Sequence, residues 1–233
     1  MTEKDGILYG APCKCREVKI MKRRMRFANI PEAFRDMTLK TFRADVYRAP
    51  ESKAKIVTAC KMIKAYLDAF DEEQKKGMGL YLYSRARGSG KTRMAASIAN
   101  DLLENHNTVV KFASSTQILA EIRRTFDRDQ GYTESMLLDA LTMTDVLVID
   151  DFGTEKVTDW VRDRFYHIIN SRYVSRKVTI FTSNESLGTL KYDDRITNRI
   201  KERCYQIDFP EESVRDYICG QNMQNMMNRV TEG

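Results

Sequence analysis

One stretch constrains this chain more than any other: Tyr81-Leu82-Tyr83-Ser84-Arg85-Ala86-Arg87-Gly88-Ser89-Gly90-Lys91-Thr92. An aromatic and apolar run ends in a Gly-rich turn, and the turn opens into a helix-forming run from Arg93 to Leu103. Strand, loop and helix in that order are what a phosphate-binding loop needs. Gly88 and Gly90 allow a tight turn in which successive backbone N–H groups face an anion. A helix starting near Lys91 adds the positive end of its dipole. In such a loop Gly88, Ser89 and Gly90 form the cradle, Lys91 reaches the β- and γ-phosphates, and the Thr92 hydroxyl ligates Mg²⁺. The pattern G-x-x-x-x-G-K-[ST] is incomplete, because Arg85 stands where its first glycine belongs. The half that holds phosphate is intact.

Around this loop strands alternate with helices. Strands are expected at 79–84, 108–113, 145–150, 177–183 and 204–209. A short helix is expected at 30–35 with Pro31 in its first turn. A long one starts at Pro50, its apolar positions Ile56, Val57, Cys60, Ile63, Tyr66, Leu67 and Phe70 three or four apart, and ends in the polar stretch 71–76. Further helices are expected at 115–126, capped by Ser115 and Thr116, and at 132–141, 158–174, 192–203 and 210–228. The pattern predicts an α/β fold: a five-stranded parallel sheet flanked by helices, joined by right-handed crossovers. Ligands of such sheets sit beyond the C-terminal strand ends.

Those strand ends carry the polar residues. The apolar run Val146-Leu147-Val148-Ile149 stops at Asp150-Asp151. Two adjacent carboxylates are a costly way merely to end a buried strand. Beside a phosphate loop, Asp150 would hold Mg²⁺ and Asp151 would orient or deprotonate the attacking water. The plain alternative is an Asp-Asp turn. The next strand ends in Thr182-Ser183-Asn184, where Asn184 could hydrogen-bond that water; Ser-Asn is also ordinary turn chemistry. Arg199 and Arg215 follow. Most arginines form solvated pairs, yet a guanidinium also stabilises the spread charge of a γ-phosphate.

At 233 residues, the chain has room for one domain and a small appendage. The appendage is taken as residues 1–49, a short basic N-terminal extension, and the nucleotide-binding domain as 50–233. Between positions 14 and 26, Lys14, Arg16, Lys19, Lys22, Arg23, Arg24 and Arg26 face Glu17 alone. The run is either a solvated arm or a contact for nucleic acid or an acidic partner. Cys13 and Cys15 could give two zinc ligands, but a structural site wants four, so free thiols are expected. Five scattered cysteines suit a reducing, cytoplasmic setting. No apolar run approaches the roughly 20 residues of a membrane span. The net charge of +6 permits a nucleic-acid partner without demanding one.

Taken together the motifs resemble the AAA+ ATPases of the bacterial replicative-helicase loader group, the DnaC and DnaI type, with the transposition helper IstB as a near relative. Matching stretches, in order, are Ile30-Pro31 with Phe34-Arg35 before Thr41-Phe42, then Gly88 to Thr92, Leu147 to Gly153, Ile169 to Tyr173, Thr182 to Asn184, Arg199 to Cys204, and Ser213 to Arg215. The resemblance implies a P-loop NTPase with ATP and Mg²⁺ as cofactors. Lys91 and Thr92 match Walker A, and Asp150 and Asp151 match Walker B. Asn184 matches sensor 1, Arg215 sensor 2, and Arg199 an arginine finger that reaches a neighbouring subunit. It further implies ATP-dependent self-assembly, single-stranded DNA and a hexameric replicative helicase as partners. Asp151 stands where many AAA+ motors have glutamate, so slow, switch-like hydrolysis is expected. Two other roles fit the same motifs: a transposition helper acting on duplex DNA, and a non-hydrolysing adaptor or decoy on the helicase.

Overall fold

The computed structural model describes residues 28–126 and 133–231, together with two short strands, Thr2–Lys4 and Ile7–Tyr9, that pair antiparallel. The body is one sheet of five parallel strands: β1 (Gly79–Tyr83), β2 (Val110–Ser114), β3 (Val146–Asp150), β4 (Val178–Ser183) and β5 (Cys204–Asp208). Their order across the sheet is β2-β3-β4-β1-β5. β1, which leads into the glycine loop, therefore lies between β4 and β5. The helices are α1 (Pro50–Asp68), α2 (Phe70–Lys76), α3 (Lys91–Asn105), α4 (Ser115–Arg124), α5 (Glu134–Met143), α6 (Asp159–Val174), α7 (Asp194–Arg203) and α8 (Arg215–Thr231).

Side chains alternate across the sheet, and each face has its own core. Leu80, Leu82, Phe112, Val148 and Ile180 point to one face, where they meet α1, α3 and the buried Ala28, Ile30 and Tyr47. Tyr81, Leu147, Ile149 and Phe181 point to the other, under α4, α5, α6 and α7. Register aligns the C-terminal strand ends: Ser114 lies opposite Asp150, and Tyr83 lies opposite both Ser183 and Asp208. No helix among the described residues is long and apolar enough to cross a membrane.

Several boundaries differ from the sequence expectation. The stretch 71–76 is not a helix end but most of α2, with Asp71, Glu72 and Glu73 in its first turn and Lys75 and Lys76 in its last, as the helix dipole favours. Gly77 closes it in the left-handed conformation. Residues 30–35 give only a 3₁₀ turn, Glu32–Phe34. Ser114, not Ser115, caps α4, in a capping box with Gln117. The last helix starts at Arg215 rather than 210, because Glu211, Glu212 and Ser213 spend their side chains on other backbone groups. The division at residue 49 is no packing boundary, since Ala28, Ile30 and Tyr47 share a core cluster with α1 and α3. Cys13, Cys15 and the basic run lie outside the described residues.

Candidate functional site

The loop between β1 and α3 turns on two left-handed glycines, Gly88 at φ 81° and Gly90 at φ 92°. A Cβ on Gly88 would lie 2.8 Å from Ser213 Oγ and 2.9 Å from Arg215 Cγ, and one on Gly90 would lie 2.9 Å from the Tyr47 hydroxyl. Both positions therefore need glycine for conformation and for space. Arg85 is not among the left-handed residues, so its place in the loop makes no demand for glycine. Its N–H and that of Ala86 donate to the Glu211 carboxylate at 3.1 and 3.0 Å.

Lys91 is the first residue of α3 and is only 5% exposed. Its ammonium donates to the carbonyls of Ser84 and Ala86, both at 3.0 Å, and to Ser89 Oγ at 3.1 Å. All three protons are used, so the lysine is held in the centre of the loop. Burial lowers its pKa to about 8, against the opposing pull of Asp151, Glu211 and Asp150.

The two carboxylates of β3 are held differently. Asp150 is buried. It accepts from the Thr182 hydroxyl at 2.5 Å and hydrogen-bonds the Thr92 side chain. Burial raises its pKa above the ordinary carboxylate value, with the Asp151 charge adding to the rise. Asp151 is exposed and left-handed, at φ 53°, a conformation that Asp tolerates better than most residues. Its N–H donates to Thr182 Oγ1 at 2.9 Å, and its carbonyl accepts from Thr154 Oγ1 at 2.8 Å and Ser115 Oγ at 3.1 Å. Thr182 thus orients both acids through one hydroxyl.

Asn184 lies half-buried just past the end of β4, whose neighbours are β3 and β1. Arg215 starts α8, and its aliphatic stem covers Gly88. Its charge is felt by Lys91. The loop, Thr92, Asp150, Asp151, Asn184 and Arg215 are thus gathered on one edge of the sheet. Arg199 is not gathered there. It sits within α7, where Nε donates to Asn170 Oδ1 at 2.9 Å and the guanidinium lies over the rings of Tyr166 and Tyr173 at 5.2 and 5.5 Å.

Three groups here went unread in the sequence. Thr182 had a signal, being a hydroxyl that directly follows the apolar pair Ile180-Phe181 at the end of its strand. Tyr47, whose hydroxyl donates to Ser89 O at 2.7 Å, had none. Neither had the acidic pair Glu211 and Glu212. Glu212 accepts from the N–H groups of Arg48 and Ala49 at 2.7 and 3.2 Å, and so caps α1, whose own N-cap residue Ala49 cannot.

The donor set fits Mg²⁺. A threonine hydroxyl and a buried carboxylate side by side are hard oxygen ligands, and Mg²⁺ at a triphosphate needs only one or two such protein groups. No cluster of three or more His, Cys, Asp or Glu side chains grouped for a metal occurs among the described residues.

The chain is similar to known proteins in sequence and in fold. The model of the IstB-like ATP binding protein family matches residues 13–216. The phage-like element PBSX protein XkdC of Bacillus subtilis (strain 168) is 24% identical over 210 residues, covering 88% of this chain and 75% of that protein. The replicative helicase loader DnaI of the same organism is 30% identical over 186 residues; the match covers 79% of this chain and 56% of the length of DnaI. The crystal structure of the DnaC helicase loader superposes with a TM-score of 0.65 at 22% identity, covering 77% of this chain and all of that one, which shows a shared fold. With most of its length matched in this way, the chain belongs to the IstB-like ATP binding protein family.

Proposed function

We propose that the protein is an ATP·Mg²⁺-dependent helicase loader, which assembles with copies of itself and helps place a hexameric replicative helicase on single-stranded DNA. The observation that carries the nucleotide part is the buried Lys91 ammonium, held by three oxygens in a loop turned on Gly88 and Gly90. Phosphate oxygens would replace loop carbonyls around it. Thr92 and Asp150 would hold the metal ion, which supplies positive charge to the phosphates. Asp151 and Asn184 would orient the attacking water, and Arg215 would meet the phosphate charge from α8. Hydrolysis is expected to be slow, since the shorter Asp151 replaces the glutamate of faster AAA+ motors.

The loader reading draws support from the likeness to DnaI. An aromatic and cationic cluster on the far end of α4 supports the DNA part. Arg123 and Arg164 lie over the Trp160 ring at 5.0 and 5.8 Å, and the exposed Phe126 meets the same ring edge-on. Stacking faces beside guanidinium groups suit unpaired bases. Arg199, directed away from its own loop, is left to meet a neighbour's nucleotide. The basic N-terminal extension is proposed as the arm that meets the helicase.

The family match also fits a transposition helper acting on duplex DNA. Co-purification with a hexameric replicative helicase, with and without ATP, separates the readings. ATP-dependent capture of the helicase and preference for single strands support the loader. Capture of a transposase instead, with preference for duplex DNA, refutes it.

A further inference from the structure

Glu155 is half-buried four residues beyond Asp151, and both its oxygens are occupied. One accepts from the Gly153 N–H at 3.1 Å and from the Tyr192 hydroxyl; the other accepts from the Ser115 hydroxyl at 2.5 Å. Each donor comes from a different part of the fold. Gly153 belongs to the turn that follows the two acids of β3. Ser115 is the first residue of α4, and Tyr192 directly precedes Asp193, the N-cap of α7.

The Ser115 hydroxyl also lies 3.1 Å from the Asp151 carbonyl. A hydroxyl has one proton to give, so it can serve Glu155 or the Asp151 carbonyl, and a small shift of α4 changes which. Asp151 is sensitive to that choice because its left-handed backbone is held by its amide and carbonyl bonds. On the other side the Tyr192 ring stacks on Phe152 at 4.8 Å and 6°, so α7 is tied to the same turn. α4 spans ten residues, with Ser115 at one end and Arg123, over Trp160, near the other. A helix of that length is a stiff rod of about 15 Å.

We infer that Glu155 is a positioning residue, the joint through which DNA at the Arg123–Trp160 end of α4 and nucleotide at Asp150 and Asp151 influence one another. The inference rests on the functional reading above, in which both ligands bind. Binding at one end shifts α4, Ser115 exchanges acceptors, and the turn behind the acids tightens or relaxes. Tyr192 passes the same shift to α7, the helix that carries Arg199.

The test uses the full chain, a fluorescent oligothymidylate and a non-hydrolysable ATP analogue with Mg²⁺. Linkage requires nucleotide to change DNA affinity by the same factor as DNA changes nucleotide affinity. In wild type that factor is expected to be about tenfold, the size of one charge-assisted hydrogen bond. In Ser115→Ala each affinity measured alone should stay within about twofold of wild type, while the factor falls to about one. Ser115→Thr, which keeps the hydroxyl, should restore it. Glu155→Ala gives a second route to the same loss, and thermal melting checks that each variant is folded. A wild-type factor of one, or a full factor in both Ser115→Ala and Glu155→Ala, overturns the joint and leaves the functional reading standing. A wild-type chain that binds no nucleotide or no DNA overturns that reading, and the joint with it.

Discussion

The Val214 N–H donates to the Gly88 carbonyl at 3.0 Å, so α8 begins on the phosphate loop itself. The position of Arg215 over the loop follows from that bond and from the absence of a side chain at Gly88. A loop residue and a helix start more than a hundred positions later are thereby one mechanical unit.

Gly88→Ala is expected to break this unit. The new Cβ meets Ser213 and Arg215 inside 3 Å, and the left-handed backbone costs a further ~1–2 kcal/mol for a residue with a Cβ. Nucleotide affinity should fall by roughly tenfold or more, with a lower melting temperature. Unchanged affinity by titration with a fluorescent nucleotide would show that α8 plays no part in the site.

Lys91 sets a pH dependence. With a pKa of about 8 in the nucleotide-free protein, it loses its charge as pH rises past 8, and phosphate must then restore the proton. Affinity should fall by up to about tenfold per pH unit above 8, with proton uptake on binding. The stability of the free protein moves the opposite way. The lysine is charged up to its ordinary 10.5 when unfolded but neutral above about 8 when folded, so stability rises with pH between those values. Calorimetry in buffers of different ionisation enthalpy measures the uptake. Affinity that stays level from pH 7 to 9.5 would refute the assignment, as would ATP binding retained by Lys91→Ala.

Asp150→Asn should raise the melting temperature of the nucleotide-free protein. Burial and the neighbouring Asp151 raise the Asp150 pKa, so its charge weakens the fold at neutral pH and the penalty disappears as pH falls below the ordinary carboxylate value. An amide keeps the oxygen that accepts from Thr182. The same variant should lose any Mg²⁺-dependent gain in nucleotide affinity. A lower melting temperature would mean that the carboxylate is stabilising.

Arg199→Ala should leave nucleotide affinity within about twofold, because the side chain touches only α6 and its own helix. ATP-dependent assembly, followed by light scattering, should be lost. Assembly at the wild-type level would exclude a role between subunits.

The sheet and most of the site were legible in the chain because their chemistry is local. A glycine loop before a helix, an acid pair closing an apolar strand and a two-residue alternation each leave a mark within a few positions. Contacts between distant segments leave none. Glu212 reads as one more surface acid until it is seen at the start of α1, and Tyr47 as a loop aromatic until its hydroxyl meets Ser89. Propensity also misplaced the last helix. Residues 210–214 can form one, but Glu211 is committed to the loop and Glu212 to α1. Arg199 was matched by motif order to a finger for a neighbouring subunit, and within its own chain its side chain packs on α6 and α7.

The bonds from Glu211 to Arg85 and Ala86 reach across 126 and 125 positions of sequence. During synthesis the ribosome must therefore release all five strands of the sheet before the anion cradle can be stapled shut. A nascent chain arrested ahead of Glu211 would carry Gly88, Gly90 and Lys91, yet leave the Arg85 and Ala86 amides without their carboxylate. Competence to capture nucleotide would then arrive late in translation, as a signal that the polypeptide has been made through its last strand.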